Sequence, residues 1–395
     1  MREHLLFGLT AGRPRGSLVW QTPEDRLFHT YIIGSTGTGK TTLLKSLLLQ
    51  NAQQHAGFVL LDPHGDLAEE LSQQLPHERV IYWDVTNAGN GISFNPLKRV
   101  PADYRTLAAS GLLEALMHRW EKAWGNSQEH ILRNCFLALL DTPKAQLSEV
   151  LRLLDDDTFR ASVLAQVTNP RVLDFWNKEY AAYPHRQRLE AIKPIQTKIG
   201  AFLADPLMQQ LFDGGKQSIS FRQAMDAGKI VIINLAKGRL GSDTSGLLGA
   251  LIVSTLGLAA FSRADVAEGE RRPFFIYADE FQNFATKSFE IMLSELRKYK
   301  VGLVLANQYL GQLTPGLRDA VMGNCGTVIA FRLGATDASF VAREFSPEFD
   351  ALDLTRSPNY RATMKLMVQG APTKPFSLAT LQTQDAMTVS RNPFR

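Results

Sequence analysis

Short runs of apolar residues separate longer mixed segments in the first hundred residues of the chain. The runs cover residues 31–34, 58–62 and 80–83. Leucines at helical spacing follow the first run, at residues 43–48, and a polar segment follows the second. A short apolar run bounded by turn residues is typical of a buried strand. Strands that alternate with helices predict a parallel sheet.

This pattern changes after residue 97. Between about residues 101 and 215 the apolar positions recur at helical spacing, and we predict helices at residues 107–120, 129–140 and 191–203. The strand pattern then resumes, with further buried strands predicted at residues 229–235, 274–279, 301–306 and 327–331. Residues 360–381 alternate like a β-hairpin.

These patterns predict a discontinuous α/β domain. Residues 1–97 and 216–395 would form it, around a mainly parallel central sheet. Residues 98–215 would form an all-α domain inserted between the third and fourth strands.

One uncharged stretch, residues 244–262, is as long as a membrane span. It contains three glycines and five serines or threonines, which weaken its hydropathy, and it lies between two predicted strands. A helix covered by a parallel sheet and its neighbours can be apolar all round. We therefore predict a core helix here. The N-terminus lacks the pattern of a secretory signal.

Composition excludes several classes of protein. Hydrophobic residues make up 45% and charged residues 21% of the 395 residues, which is typical of a globular protein and not of a disordered or fibrous one. The net charge of +4 permits a nucleic-acid partner without requiring one. Two cysteines, Cys135 and Cys325, are too few for a disulfide framework or a four-cysteine zinc site. We expect both side chains to be buried in the protein core. We also expect the protein to occupy a reducing compartment, the cytoplasm.

A phosphate-binding loop follows the first strand. Its sequence matches the pattern G-x-x-x-x-G-K-[ST], whose glycines let backbone N–H groups point at phosphate oxygens. Lys40 would reach the outer phosphates of ATP, and the Thr41 hydroxyl would bind Mg²⁺. The predicted nucleotide-binding residues here are Gly34, Ser35, Thr36, Gly37, Thr38, Gly39, Lys40, Thr41 and Thr42.

An acidic pair ends the strand at residues 274–279. Ligands bind at the carboxyl ends of strands in open α/β sheets. Asp279 would hold Mg²⁺ and Glu280 would polarise the attacking water, whereas the alternative is a strand end capped by two solvated acids. A glutamate beside the metal-binding aspartate favours a hydrolase over a nucleotide kinase.

Residues in three further segments are candidates for a nucleotide site. Gln308 follows the next strand and could hydrogen-bond the γ-phosphate and the water. Arg297 precedes that strand, and is either an arginine finger for a neighbouring subunit's nucleotide or a basic helix end. Asp62 ends the second strand, where it or His64 could join the nucleotide site; Asp66, beyond it, could instead be a helix N-cap.

Together these residues resemble the HerA/FtsK branch of P-loop ATPases, and most closely the TraG/TraD-type coupling proteins of conjugation and type IV secretion. The motifs span about residues 29–335. Besides the P-loop they are Asp62-Pro-His-Gly-Asp66, Phe94-Asn-Pro-Leu97, Trp124-Gly with Glu129-His-Ile-Leu-Arg-Asn134, Asn234-Leu-Ala-Lys-Gly238, Ala278-Asp-Glu-Phe-Gln282 and Arg297-Lys-Tyr to Ala306-Asn-Gln308.

The resemblance implies a RecA-like motor that assembles as a homohexameric ring and moves DNA through a central channel using ATP. It also implies that Arg297 acts as the finger in trans. Membrane coupling proteins carry N-terminal transmembrane helices, but 33 residues without such a helix precede this P-loop. We therefore expect a cytoplasmic motor that needs a partner for any recruitment to the inner membrane.

The DNA contacts are less well defined by the sequence. Lys237-Gly-Arg239 follows a core strand as a candidate channel loop, and the predicted insert has a basic region at Arg186, Arg188, Lys193 and Lys198. Both are also compatible with ordinary solvated surface. The strand type of the DNA stays open.

Two functions lead. The first is a DNA pump that receives a relaxase–DNA substrate and works with a secretion channel. The second is a HerA-like motor for DNA processing or defence that works with a nuclease. A P-loop scaffold or protein-secretion motor that never contacts DNA is a third possibility.

Overall fold

A computed structural model describes residues 4–12, 16–87, 89, 91–98, 100–119, 125–213, 217–382, 385 and 388. The chain divides into two compact units. The first, which we call the sheet unit, consists of Met1–Tyr82, Arg222–Ala236 and Arg263–Arg395. The second, the helical unit, consists of Trp83–Phe221 and Lys237–Ser262. The predicted domain boundaries, at residues 97/98 and 215/216, are not tested by this division into units and stay a prediction.

Fifteen strands are found in the described residues. They are β1 Leu5–Thr10, β2 Leu18–Gln21, β3 Thr30–Ile33, β4 Gly57–Asp62, β5 Val80–Asp84, β6 Ile92–Ser93, β7 Gln217–Ser218, β8 Ile230–Asn234, β9 Phe274–Ala278, β10 Val301–Asn307, β11 Thr327–Ala330, β12 Arg361–Lys365, β13 Met367–Val368, β14 Ala371–Pro372 and β15 Phe376–Thr380.

Eleven of these strands form one sheet, in the order β2-β1-β15-β12-β11-β3-β10-β9-β4-β8-β5. The neighbours from β11 through β3, β10, β9 and β4 to β8 pair in parallel. The side containing β12, β15, β1 and β2 is antiparallel. All seven predicted strands therefore lie in this sheet, which is mainly parallel as predicted. β5 is its edge strand and is mostly half-buried.

The central strands are buried along their whole length. Every residue of β3, β4, β8, β9 and β10 is buried, because the strands are apolar on both faces. Leu43, Leu47 and Leu48 pack into the same core beside Ile32 and Leu60. The P-loop is thus attached to a rigid support.

The C-terminal hairpin is also confirmed. β12 and β15 pair antiparallel, with the small β13–β14 hairpin between them. The sequence pattern did not predict β1 and β2, the N-terminal strands that extend this side of the sheet.

The α-helices are α1 Pro23–Arg26, α2 Lys40–Gln53, α3 Asp66–Gln74, α4 Arg105–Arg119, α5 Asn126–Asp141, α6 Glu149–Asp155, α7 Asp157–Leu164, α8 Pro170–Asp174, α9 His185–Leu203, α10 Pro206–Asp213, α11 Phe221–Ala227, α12 Lys237–Phe261, α13 Lys287–Glu295, α14 Pro315–Asn324, α15 Ala335–Val341 and α16 Ala351–Arg356. The helices predicted at 107–120, 129–140 and 191–203 correspond to α4, α5 and α9; Trp120 and Trp124 lie outside the described residues.

The uncharged stretch lies in α12, which packs against α4 within the helical unit. Residues 237–265 are long and apolar enough to cross a membrane by length and composition, but 83% of the most apolar window is buried. That environment is typical of the predicted core helix. Gly241 interrupts α12 with φ 79°. Lys237 and Arg239 therefore lie in a short helical turn before this kink, where the sequence suggested a loop.

Both cysteines are free and buried, as predicted. Burial raises the pKa of both thiols, so they stay protonated and act as small apolar side chains.

Candidate nucleotide site

The loop after β3 has the backbone of an anion cradle. Gly39 precedes α2 with φ 118°, a conformation that favours glycine, and no side chain caps the helix N-terminus. Gly34 also has to be glycine, because a Cβ there would lie 2.5 Å from the Cβ of Phe331. At Gly37 a Cβ would meet no atom within 4 Å, so the loop faces open space. Helix N–H groups that no side chain caps, beside such a space, are suited to phosphate.

Lys40 is folded back onto this loop. Its Nζ donates to the carbonyl oxygens of Gly34 at 2.5 Å and Ser35 at 3.3 Å. Burial lowers the pKa of Lys40, while the charges of Glu280 and Asp279 raise it. A buried ammonium whose hydrogen bonds go only to carbonyl oxygens fits a phosphate partner, which would supply the missing negative charge.

The acidic pair faces the same region. Asp279 and Glu280 follow β9 and are 7% and 6% exposed. The N–H of Asp279 donates to the Leu61 carbonyl on β4, which fixes the strand end. Burial, together with the negative charges of Glu280 and Asp62, raises the pKa of Asp279 to about 7. Such a desolvated carboxylate, with the Thr41 hydroxyl, fits the oxygen ligands that Mg²⁺ prefers. Its burial is not that of a solvated strand cap.

Both carboxylate oxygens of Glu280 receive hydrogen bonds from amides. Gln308 Nε2 donates to Oε1 at 2.9 Å, and Gln282 Nε2 donates to Oε2 at 2.7 Å. Glu280 itself adopts a left-handed backbone with φ 44°. A non-glycine residue in that region is strained, and such strain is concentrated at functional sites. Gln282 was not among the predicted site residues, although its position two residues after Glu280 was a signal in the sequence.

The Asp62 carboxylate accepts hydrogen bonds from the backbone of the turn that follows it. Its Oδ1 accepts from the His64 N–H and its Oδ2 from the Ala68 N–H, both at 2.9 Å. Helix α3 begins at Asp66 with Gly65 at the N-cap position, so Asp66 is not the N-cap. The carboxylate that bonds the start of α3 belongs to Asp62, which is still close enough to Asp279 to raise its pKa.

Arg297 lies at the end of the sheet where the parallel strands begin, opposite the end that carries the P-loop. It is exposed in the 3₁₀ turn before β10, with its guanidinium carbon 3.4 Å from the ring centroid of Phe28. Phe28 precedes β3, whereas the P-loop follows β3. At about 3.3 Å per residue, the four residues of β3 separate these ends by roughly 13 Å. The structure therefore does not bring Arg297 together with Lys40, Glu280 and Gln308.

The basic region of α9 is partly engaged within the helical unit. Arg186 pairs with Glu190, although both are largely exposed. Arg188 donates to the carbonyl of Tyr180 and its guanidinium lies 5.0 Å from that ring. Lys193 is exposed and Lys198 half-buried.

Two family models match the chain. Residues 27–252 match the model described as "Helicase HerA, central domain". Residues 273–364 match the "TraM recognition site of TraD and TraG". No curated protein matches the sequence closely enough to count as a relative.

Solved structures share the fold. The unbound bacterial conjugative coupling protein TrwBdeltaN70 is 15% identical with a TM-score of 0.66, over 93% of this chain and 89% of its own. The plasmid coupling protein TrwB in complex with the ATP analogue ADPNP is 16% identical with a TM-score of 0.65, and the match covers 96% of this chain and 95% of TrwB. VirB4 of Thermoanaerobacter pseudethanolicus is 13% identical, TM-score 0.65, with 98% of both chains covered. The predicted RecA-like P-loop motor fold is thereby confirmed.

Proposed function

From the premise that this chain belongs to the family of the HerA helicase central domain, we propose that it hydrolyses ATP and uses the reaction to move DNA. The expected resemblance to HerA and to TraG/TraD is confirmed by the two family matches. The observation that carries the proposal is the buried pair Asp279–Glu280 beside Lys40, with Glu280 bonded to Gln308.

Each residue has a defined part in this proposal. Lys40 would turn from its own loop carbonyls to the outer phosphates. Thr41 and Asp279 would hold Mg²⁺, which when bound neutralises charge on the phosphate oxygens. Glu280 would orient the attacking water and take its proton. Gln308 would keep the Glu280 carboxylate facing that water.

The position of Arg297 supports an assembly of several copies. Because it lies across the sheet from its own P-loop, any finger role has to be performed on a neighbouring copy's nucleotide. Contacts of this head-to-tail kind form a ring when the rotation between subunits closes. We propose a homohexamer, as the family resemblance implies, and hydrolysis would then be coupled to motion between subunits.

Conjugation or type IV secretion is the context that we propose first. The match of residues 273–364 to the TraD and TraG family supports it, as does the likeness of fold to a conjugative coupling protein. A relaxase and a secretion channel would be its partners, and a partner would recruit it to the inner membrane. The match to HerA over residues 27–252 favours the second candidate, a DNA-processing or defence motor that works with a nuclease.

The test is the ATPase rate without DNA, with single-stranded DNA and with double-stranded DNA, alongside the particle mass by light scattering in ATP. We expect stimulation by one form of DNA in a particle of about six subunits, with a response that weakens as salt is raised. Trp20→Ala, which changes an exposed residue of the outer strand β2, is the control variant. Its ATPase rate and its response to DNA should equal those of the wild type. A monomeric particle whose ATPase rate is the same without DNA and with either form of DNA would contradict a DNA motor that acts alone.

A further inference from the structure

An exposed tyrosine lies directly against the phosphate-binding loop. Tyr360 is 53% exposed, and it precedes β12. A Cβ added at Gly39 would lie 3.0 Å from the Cδ1 atom of this ring and 3.4 Å from its Cα. The tyrosine thus covers the glycine that precedes α2, while much of its side chain remains open to solvent.

The backbone of Tyr360 is strained and held in place. Its φ is 62°, in the left-handed region that β-carbon-bearing residues rarely adopt. Its N–H donates to the Thr38 carbonyl at 2.8 Å, and its own carbonyl accepts from the N–H and the hydroxyl of Thr380, each at 3.0 Å. Three hydrogen bonds therefore connect this residue to the P-loop on one side and to β15 on the other.

Packing of the loop does not account for the ring. Phe331 is fully buried and already fills the space beneath Gly34 and Gly39. In the described part of the chain, no aromatic or cationic side chain stacks on Tyr360, whereas the exposed Trp20 stacks on His4. Strain retained at an exposed aromatic residue beside a ligand loop points to a ligand contact.

The sheet order places this ring at the nucleoside end of a bound triphosphate. β12 lies on one side of β3, with β11 between them, and the acids follow β9 on the other side. Hydrolysis requires the terminal phosphate to face Asp279 and Glu280. The nucleoside then leaves the loop on the opposite side, towards Tyr360.

We infer that the ring of Tyr360 is the platform on which the purine base of the bound nucleotide stacks. This inference rests on the proposed ATPase function and adds a base-binding residue to it. A stacking contact is tolerant of base identity because every base has a π face. ATP and GTP should therefore depend on Tyr360 to a similar extent.

The test compares ATP with inorganic tripolyphosphate, which has the phosphates but no base. Titration calorimetry on the full chain would use Tyr360→Phe, Tyr360→Asn and Tyr360→Ala. Asparagine tolerates the left-handed backbone, so it removes the ring while keeping the loop. We expect Tyr360→Asn to weaken ATP and GTP binding about 5- to 150-fold, the loss typical of one base–aromatic stack. Tripolyphosphate binding should be unchanged, and Tyr360→Phe should bind like wild type.

Several outcomes would overturn the inference. Wild-type ATP affinity in Tyr360→Asn would remove the ring from the site. Equal loss of ATP and tripolyphosphate binding would assign Tyr360 to loop geometry alone, and loss of DNA affinity with ATP binding intact would assign it to the nucleic acid. If the wild-type chain bound neither ATP nor tripolyphosphate and Lys40→Ala changed nothing, the proposed function itself would fail, and the inference with it.

Discussion

Gln308 donates a hydrogen bond of 2.9 Å from its side-chain amide to the carboxylate of Glu280. The two residues follow different strands, β10 and β9, which are neighbours in the sheet. Gln282 donates to the second oxygen of the same carboxylate. Two neutral amides thus fix the direction of the proposed base without neutralising its charge.

Replacing Gln308 with leucine should slow hydrolysis and leave ATP binding intact. The variant removes one hydrogen bond to an ionised group, which is worth about 1.5–3 kcal/mol. If that contribution is expressed in the transition state, kcat falls about ten- to hundredfold. Single-turnover hydrolysis and ATP titration would separate the two effects. An unchanged kcat would show that the contact does not orient the base.

Gln282→Leu tests the other half of the arrangement. Because Gln282 bonds the second oxygen of the same carboxylate, we expect a fall in kcat of the same kind, without a change in ATP affinity. In the double variant with Gln308→Leu the loss should differ from the sum of the single losses, since the two amides share one partner. Strict additivity would show that the two amides act independently of each other.

The two central residues of the site should separate binding from chemistry. Lys40→Ala removes the buried ammonium beside the phosphate cradle and should abolish ATP binding. Glu280→Gln keeps the shape of the side chain but cannot take a proton, so it should bind ATP and not hydrolyse it. Nucleotide titration and phosphate release measure the two properties. Turnover retained in Glu280→Gln would contradict the assignment of Glu280.

Arg297→Ala should bind ATP normally, because the arginine lies across the sheet from its own P-loop, and should lose turnover, because the proposed finger stabilises the transition state on a neighbouring subunit's nucleotide. Mixing it with Lys40→Ala subunits pairs an intact P-loop with an intact finger. In equal random mixtures this combination restores roughly a quarter of the interfaces of a head-to-tail ring. The ATPase rate of the mixture measures it. No recovery above the separate variants would argue against action in trans.

His29 should make folding stability depend on pH in the acid range. Its ring is buried, with Nε2 3.0 Å from the Leu293 carbonyl oxygen and Nδ1 accepting from the Leu303 N–H. Burial lowers the pKa of His29 to about 4; the Leu293 carbonyl opposes this shift and the charge of Arg297 adds to it.

The sign of this effect follows from proton binding. Between pH 6.5 and 4 the unfolded chain binds the proton and the folded chain does not, so stability falls as the pH is lowered through that window. The shift corresponds to about 3 kcal/mol in total. His29 has φ 64°, which asparagine tolerates. His29→Asn does not titrate, so its urea-unfolding free energy should depend less on pH between 6.5 and 4. An equal slope in both proteins would contradict the prediction.

Much of this protein's fold could be predicted from patterns of neighbouring residues in the sequence. The apolar runs around residues 31–34 and 58–62 are too short for helices and are bounded by turn residues, which favours buried strands, and the P-loop is one contiguous segment whose spacing defines its backbone. Asp279 and Glu280 were recognisable because a strand end places them at the ligand-binding edge. In each case the informative residues are close together in the chain, so the sequence by itself determined the core of the sheet and predicted the candidate phosphate site.

Only the tertiary structure decided which distant residues meet. The sheet order brings Gln308 to Glu280, Tyr360 to Gly39, and Phe28 to Arg297. It also places Arg297 away from its own P-loop, and adds β1 and β2 beside the C-terminal hairpin. Periodicity states which face of a segment is buried, but it carries no information on which strand becomes its neighbour. That choice depends on packing between segments hundreds of residues apart in the chain.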